Sequence, residues 1–188
     1  MRNIMLYSIN TKLSNDDYLD FNLFVNFCTP YGKKQFSKAR ILLAAIPLWV
    51  WFLGVLLSHF ENFDFIALVV DILLSVIVFF ATKPFMRLVT KINCKRMMKK
   101  TKVPFTPEAT MEFYNDYFVE ESAESRTEVK YTAITQVYLV NSQMIYMFNS
   151  AVGGYLIPVS AFATAEEYNG FMNFIATKTK PVEFVNFK

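Results

Sequence analysis

Two long apolar blocks dominate the pattern of hydrophobic and polar positions along the chain. The first, ILLAAIPLWVWFLGVLLSHF at residues 41–60, contains no Asp, Glu, Lys or Arg, and the second, at residues 65–82, is interrupted only by Asp71. A helix of about 20 residues spans the roughly 30 Å hydrocarbon layer of a bilayer. Because residues 61–64 alone separate the blocks, they predict a transmembrane helical hairpin. The alternative is a buried helical pair in a soluble protein, but such helices usually carry a polar stripe.

The residues before the first block predict a short strand, a helix and a turn. The strand is expected near residues 3–11. Ser14 followed by Asp17 resembles a capping box and favours a helix that runs to about Phe27, and Thr29-Pro30-Tyr31-Gly32 predicts a turn. The polar side of this helix lacks the Lys and Arg enrichment of helices that lie on membranes, so docking on a folded domain is favoured. Its apolar face consists of Tyr18, Phe21, Phe24, Val25 and Cys28.

After the second block the apolar pattern changes to alternation, which predicts about six short antiparallel strands. Turns are expected at Asn115-Asp116, at Asn141-Ser142 and within 150–154. The strand segments are TMEFYNDYFVEES, RTEVKYTAI closing near Ala133, and QVYLVNSQMIYMFNSAVGGYLIPV.

Thr164 and Glu167 form a second capping box, which predicts a helix to about Thr177. The inner face of this helix is expected to contain Tyr168, Phe171, Phe174 and Ile175. The fold class is therefore an α+β membrane protein, in which a two-helix transmembrane hairpin precedes an antiparallel β-sheet capped by a helix. A strongly bent sheet closed by a helix is the architecture of a pleckstrin-homology-like (PH-like) domain.

Charge and composition predict how the two apolar blocks are oriented in the membrane. The chain is 54% hydrophobic and 19% charged, against about 45–50% and about 25% in soluble domains. Basic residues flank both blocks on their outer ends, whereas the connecting loop has none, and basic residues stay on the cytoplasmic side. The N-terminus lacks the apolar core of a signal peptide. The flanking basic residues are Lys33, Lys34, Lys38 and Arg40 before the first block, and Lys83, Arg87, Lys91, Lys95, Arg96, Lys99, Lys100 and Lys102 after the second.

The expected organisation is a multi-pass protein of the cell (inner) membrane with both termini in the cytoplasm. The predicted segments are a cytoplasmic strand and helix segment at 1–40, transmembrane helices at 41–60 and 65–82 joined by an extracytoplasmic loop at 61–64, a basic juxtamembrane helix at 83–102 bent at Pro84, and a cytoplasmic PH-like domain at 103–188. Near a membrane, each basic residue contributes about 1 kcal/mol of attraction to anionic headgroups. The predicted headgroup contacts are Lys83, Arg87, Lys91, Lys95, Arg96, Lys99 and Lys100.

Asp71 is the unusual residue of the second block. With Ala67 and Ser75 it forms an intramembrane stripe of small and polar residues spaced by four, which lets helices approach closely and hydrogen-bond. The expected partner of Asp71 is the Trp49 or Trp51 indole, or the same stripe in a second copy. Snorkelling toward the outer headgroups and a proton or ion relay are the other interpretations. An ionised carboxylate facing lipid is costly, so Asp71 is expected to face inward or to be protonated.

The residue inventory argues against an enzyme, a cofactor or a metal. His59 is the single histidine, and neither Cys28 nor Cys94 has a histidine base nearby in sequence, so both are expected to be packing residues. Gly153-Gly154 precedes a strand, so it is expected to form a hairpin turn rather than a phosphate loop. The carboxylates that an acid–base site would need are expected on a solvated face: Glu112, Glu120, Glu121 and Glu128.

Nucleic acid is not an expected partner. The net charge of +3 arises from the basic clusters beside the apolar blocks, while residues 103–188 carry 5 basic and 10 acidic side chains. A phosphoinositide pocket is disfavoured because only Arg126 and Lys130 lie among the strands. The expected partners are anionic lipid headgroups, an unknown cytoplasmic protein and a second copy of the chain.

Several short segments carry a family resemblance. They are DDYLDFNLF at 16–24, PYGKK at 30–34, YTAITQVY at 131–138, MIYMF at 144–148 and YLIPVSAF at 155–162, with the paired apolar blocks between them. Through these the chain resembles the YcxB-like family of bacterial membrane proteins, and Ile157-Pro158 with Ala161-Phe162 is the most telling combination. Tyr131 departs from the pattern, since the family often has Trp there. The resemblance implies the fold and the topology, and it implies no catalytic residues.

Two functions remain open from the sequence. The first is a membrane-anchored interaction or regulatory module, in which the hairpin holds the PH-like domain at the inner face of the membrane. The second is a subunit of a small oligomeric transporter or channel that uses the Asp71 stripe.

Overall fold

The computed structural model describes residues 4–58, 64–99 and 105–187, and these contain four α-helices and eight strands. The helices are α1 (Asn15–Phe27), α2 (Pro30–Leu57), α3 (Phe65–Met98) and α4 (Ala165–Lys178). The strands are β1 (Tyr7–Lys12), β2 (Glu108–Phe113), β3 (Tyr117–Glu121), β4 (Arg126–Lys130), β5 (Gln136–Val140), β6 (Met144–Phe148), β7 (Gly154–Pro158) and β8 (Glu183–Val185). Among the predicted features, His59, the loop residues 61–63, Lys100 and Lys102 lie outside the described residues.

The chain divides into two compact units. The sheet unit comprises Met1–Asp20 and Met97–Lys188, and the hairpin unit comprises Phe21–Arg96. The hairpin unit is inserted between two strands that pair with each other, because β1 and β2 form an antiparallel ladder. The predicted N-terminal strand is confirmed as β1, but the sequence did not indicate that it belongs to the same sheet as the C-terminal strands.

The strands form two four-stranded sheets with the orders β1-β2-β3-β4 and β7-β6-β5-β8. The six predicted antiparallel strands are confirmed as β2 to β7. The β5–β6 turn is at Asn141 and Ser142, whose φ angles of 52° and 56° fit a type I′ turn. The eighth strand was missed, because β8 has three residues and pairs in parallel with β5, which no local alternation indicates.

The inner faces of both sheets and one face of α4 bury a shared apolar core. Phe113, Phe118 and Phe171 are each 0% exposed. The α4 capping box is confirmed, since the Glu167 N–H donates to Thr164 Oγ1 at 3.1 Å and a Glu167 carboxylate oxygen accepts from the Ala163 N–H at 2.8 Å. The buried residues of α4, Phe171 and Ile175, lie about two and three turns after this cap on the face that meets the sheets.

In the hairpin unit, helix α2 begins earlier in the chain than the sequence predicted. The predicted turn at residues 29–32 is wrong, because Thr29 caps α2 and Pro30 is its first residue. Thr29 Oγ1 accepts the Gly32 N–H at 3.0 Å, and proline suits the first helical position, where no N–H is needed. A Cβ atom on Gly32 would lie 1.9 Å from the Val25 carbonyl oxygen, so only glycine permits this approach of α1 to α2.

Both long helices expose their apolar side chains. In the most apolar 18-residue window of each helix, 6% of the residues are buried, and the mean hydropathy of the windows is 2.1 in α2 and 2.7 in α3. Both helices are therefore long and apolar enough to cross a membrane. Pro84 lies inside α3, so the basic segment after residue 82 continues the same helix through Met98.

Candidate functional site

The predicted stripe on α3 lies on a covered side of the helix. Ala67, Asp71 and Ser75 are all partly buried, whereas the adjoining Ile66 and Ile72 are exposed. Ser75 also lines an apolar groove of about 470 Å³ whose walls come from both α2 and α3. Ser75 therefore lies beside α2, and that Ala67 and Asp71 also face α2 stays a prediction.

The polar groups of the stripe have no partner within the described part of the chain. There, the Asp71 carboxylate accepts no hydrogen bond and forms no ion pair, and Ser75 Oγ is buried without a hydrogen-bond partner. The expected contact with the Trp49 indole is not formed, because Trp49 is 61% exposed and its ring packs edge-on against Phe52 at 6.1 Å. Trp49 is therefore not the indole partner of Asp71, and the alternative partner, Trp51, stays a prediction.

Arg40 joins the two long helices at the end that carries the basic residues. Its Nε–H donates to the Phe79 carbonyl at 2.7 Å, and its guanidinium carbon lies 3.5 Å from the centre of the Phe79 ring. Pro84 has no N–H, so the neighbouring Phe80 carbonyl lacks its usual helical donor, and the Arg40 hydrogen bond is made in this same turn. The charge pattern of the sequence indicates only a topological role for Arg40. The signal for its contact is an arginine at the edge of one apolar block combined with a proline just beyond the edge of the other.

The predicted headgroup residues lie along the second half of α3 and just beyond its end at Met98. Lys83, Lys91, Lys95, Arg96 and Lys99 are exposed, and Lys100 lies outside the described residues. Arg87 differs from them, because it is partly buried and its guanidinium lies 5.7 Å over the Phe27 ring of α1. Arg87 therefore also packs within the hairpin unit, which the regular spacing of the basic residues did not indicate.

The two cysteines lie in packed surroundings. Cys94 is buried, and Cys28 is partly buried near Lys33, Lys83 and Arg87. Burial raises the pKa of the Cys28 thiol, although these three cations act in the opposite direction. A raised pKa lowers the thiolate fraction at neutral pH, which is the behaviour of a packing cysteine rather than of a nucleophile.

The carboxylates of the sheet unit do not share one face. Glu112 accepts the Tyr114 hydroxyl proton at 2.8 Å, Glu121 lies 3.9 Å from Arg126, and Glu128 is exposed. The prediction that all four carboxylates lie on a solvated face is wrong for Glu120. This residue is partly buried on the same side of β3 as Phe118, and burial raises the pKa of its carboxyl. Within residues 4–58, 64–99 and 105–187, no group of three or more His, Cys, Asp or Glu side chains is arranged to hold a metal.

The outer edge of β5 is the most distinctive feature of the sheet unit's surface. There β8 pairs in parallel with Tyr138, Leu139 and Val140. The Asn141 N–H donates to the Val185 carbonyl at 3.0 Å, and the Phe187 N–H donates to the Asn141 side-chain oxygen at 2.7 Å. A backbone edge held by main-chain hydrogen bonds is a site where extended chains bind.

Comparison with known proteins gives one match. Residues 113–175 match the family model described as YcxB-like protein, which confirms the predicted resemblance over about a third of the chain. The matched segment runs from the end of β2 to Ile175 in α4 and includes Tyr131, which is buried and donates its hydroxyl proton to the Tyr114 carbonyl at 2.8 Å. The chain has no match among proteins of curated function and none among solved structures.

Proposed function

We propose, from the similarity of residues 113–175 to YcxB-like proteins, that this chain is a membrane-anchored interaction module. In this proposal α2 and α3 cross the cell membrane at 41–60 and 65–82. The sheet unit is a PH-like domain at the cytoplasmic face, where it binds a protein partner and performs no catalysis. The basic residues on the cytoplasmic side contact anionic headgroups.

The exposure of the long helices supports membrane insertion. Leu57, Ile66 and Leu42 are 80%, 74% and 70% exposed, and many other apolar side chains of these helices are exposed with them. Soluble monomers rarely expose contiguous apolar patches larger than a few hundred Å². A bilayer removes this surface from water without any further protein.

The insertion of the hairpin between β1 and β2 is the observation that carries the proposal. Lys12 and Glu108 are paired in register, their side chains form an ion pair at 3.0 Å, and the Leu13 N–H donates to the Pro107 carbonyl at 2.7 Å. The chain therefore leaves the sheet and returns to it at one place. If the inserted segment enters the membrane, it must cross an even number of times, which agrees with two spans.

The distribution of charge supports one side of the membrane for the sheet unit. Every Lys and Arg between residues 21 and 107 is at the ends of the spans that lead back to the sheet, and the connecting loop offers only Glu61 and Asp64. Positive residues stay in the cytoplasm, so this distribution supports a cytoplasmic sheet unit. Two four-stranded sheets that share an apolar core with α4 support the PH-like assignment.

Cysteine labelling in intact cells tests the topology. The endogenous cysteines are replaced by serine, and single cysteines are introduced at Asn62 in the loop or at the exposed Ser142 in the β5–β6 turn. We expect a membrane-impermeant maleimide to label Asn62→Cys in intact cells and Ser142→Cys only after lysis. Labelling of Ser142→Cys in intact cells, or recovery of the chain without detergent in the soluble fraction, contradicts the proposal.

The unpartnered stripe favours one alternative, a subunit of an oligomeric transporter or channel. Asp71 and Ser75 have no hydrogen-bond partner among the described residues, and a second copy supplies one that lipid cannot. In this alternative Asp71→Leu abolishes a homo-oligomer in detergent, while Leu73→Ile, an apolar control on an exposed position of the same helix, leaves it unchanged. A chain that inserts, assembles and accumulates normally with Asp71→Leu eliminates the alternative.

A further inference from the structure

The outer edge of β5 is covered by a segment that contributes few side-chain contacts. Val137 to Val140 are all buried, so both faces of β5 are covered. Among the residues that the structure describes, β8 is the strand on this edge, and the burial pattern of Glu183–Val185 is exposed, exposed and partly buried. Phe184, the largest side chain of β8, is 76% exposed.

The contacts that hold β8 are mostly of the kind that any extended chain can make. The parallel ladder and the bond from the Asn141 N–H to the Val185 carbonyl use backbone atoms only, and Asn141 also accepts the N–H of Phe187. A contact between two side chains across the edge joins the Gln136 amide and the Glu183 carboxylate. The ladder itself uses backbone atoms, which an extended segment of another sequence can also supply.

We propose that the outer edge of β5 is a peptide-binding edge, on which an extended segment of a partner protein replaces Glu183–Val185 by strand addition. This proposal deepens the proposed function, because it names the surface through which the interaction module takes its partner. The resident segment then acts as a cover, which keeps the edge from pairing with unrelated strands until the partner is present.

The resident segment also indicates what such a peptide resembles. Val182 packs against the core and Val185 is partly buried, whereas Phe184 points to solvent. Glu183 is the side chain that reaches Gln136. The favoured peptide therefore has apolar residues at the first and fourth places of a four-residue stretch, a carboxylate or amide at the second, and no requirement at the third.

Hydrogen exchange of the unaltered full chain in detergent micelles is the first test. The amides of Glu183–Val185 are expected to exchange about 100-fold or more faster than those of β6, because a segment that opens locally exchanges long before the core does. Exchange of β8 as slow as that of β6 overturns the proposal, since the cover would then open only when the whole sheet unfolds.

Peptide binding to the full chain is the second test. The probe is a fluorescent decapeptide of the chain's own residues 179–188, TKPVEFVNFK. Val185→Pro weakens the resident strand, because proline lacks the N–H of a ladder residue. We expect the probe to bind this variant at least about tenfold more tightly than the natural chain, whose edge is already occupied. A probe with proline at both Glu183 and Val185 is expected not to bind.

Phe184→Ala is the matched control, because this side chain faces solvent and its loss is expected to leave probe affinity at the level of the natural chain. Equal binding to the natural chain and to Val185→Pro, or no binding to either, overturns the proposal. If Val185→Pro does not fold, the exchange measurement decides alone. Both tests run in micelles and do not require a particular topology, so their failure is separate from a failure of the labelling experiment.

Discussion

The sheet unit and the hairpin unit place the same kinds of apolar side chain in opposite environments. In the sheet unit Phe113, Phe118 and Phe171 are fully buried, while in the hairpin unit Leu57 and Ile66 are 80% and 74% exposed. Both arrangements belong to one chain and follow from one rule, the removal of apolar surface from water. The sheet unit meets this rule by packing on itself, whereas the hairpin unit leaves apolar surface exposed, which a bilayer covers under the proposed function.

The largest expected effect is the loss of a core aromatic in the sheet unit. Phe171 lies 4.8 Å from Phe113 and 5.1 Å from Phe162, centre to centre. Phe171→Ala is expected to reduce the free energy of unfolding by about 3–5 kcal/mol, measured by denaturant unfolding in mild detergent. Leu57→Ala in the hairpin unit is the control and is expected to change it by less than about 0.5 kcal/mol. Equal losses in the two variants contradict the comparison.

A lysine introduced at an exposed position of each unit tests whether that position faces lipid or water. Leu73 and Val152 are both 58% exposed, the first on α3 and the second in the β6–β7 turn. Leu73→Lys is expected to make membrane insertion less favourable by about 2.5–3.5 kcal/mol, because the lysine lies at the centre of the span. The readout is the fraction of chain that remains in alkali-washed membranes. Val152→Lys is expected to leave that fraction unchanged, and an equal loss in both variants argues against insertion.

Removal of one helix cap tests whether the units unfold separately. Thr164 caps α4 in the sheet unit and Thr29 caps α2 in the hairpin unit, each through its side-chain oxygen. Thr164→Ala is expected to lower the stability of the sheet unit by about 1 kcal/mol, seen as a lower thermal midpoint of its near-ultraviolet circular dichroism signal. Thr29→Ala is expected to leave that midpoint where it is. A common shift in both variants indicates one cooperative transition.

The smallest expected effect concerns the pH dependence of the sheet unit. Burial raises the pKa of Glu120 above its ordinary value of 4.5, so the folded state binds a proton more tightly than the unfolded state. Stability from this group is therefore present at low pH and is lost as pH rises through that ordinary value toward the raised one. Glu120→Gln is expected to raise the thermal midpoint slightly at pH 7 and to have no effect near pH 4, about where the glutamate is protonated.

Glu121→Gln is the control for this measurement. Glu121 is exposed and lies 3.9 Å from Arg126, so its substitution removes a carboxylate from the surface of the sheet unit rather than from a partly buried position. The substitution is expected to leave the midpoint unchanged or to lower it slightly at pH 7. A rise of equal size in both variants means that general repulsion among carboxylates, rather than the burial of Glu120, is the cause.

Local patterns predicted the elements well where the signal lies within a few residues. The capping boxes at Ser14 and Thr164 set two helix starts correctly, and alternation located β2 to β7. Local patterns failed at Thr29-Pro30, where turn residues serve as a helix start. They failed again at Glu120, whose side of β3 is decided by its register with the core residue Phe118 rather than by its charge.

Features that join distant residues were not predictable in this way. The bond from the Thr11 hydroxyl to the Ala109 carbonyl spans 98 positions, and the β1–β2 ladder has no local signature. Arg40 donates to the Phe79 carbonyl across the helix pair, and β8 pairs with β5 only after α4 has returned the chain to the sheet. Each of these depends on which backbone groups remain unsatisfied after the elements have packed.

The sequence by itself predicted most of the elements of both units and two helices long and apolar enough to cross a membrane, because periodicity and block length act through local physical chemistry. The tertiary structure alone decided that the hairpin unit is inserted between two paired strands. It also decided that Ser75 of α3 lines a groove beside α2 and that Glu183–Val185 covers the edge of β5. The physical reason is that strand pairing and helix packing join backbone and side-chain groups far apart in sequence, and no window of neighbouring residues contains both partners.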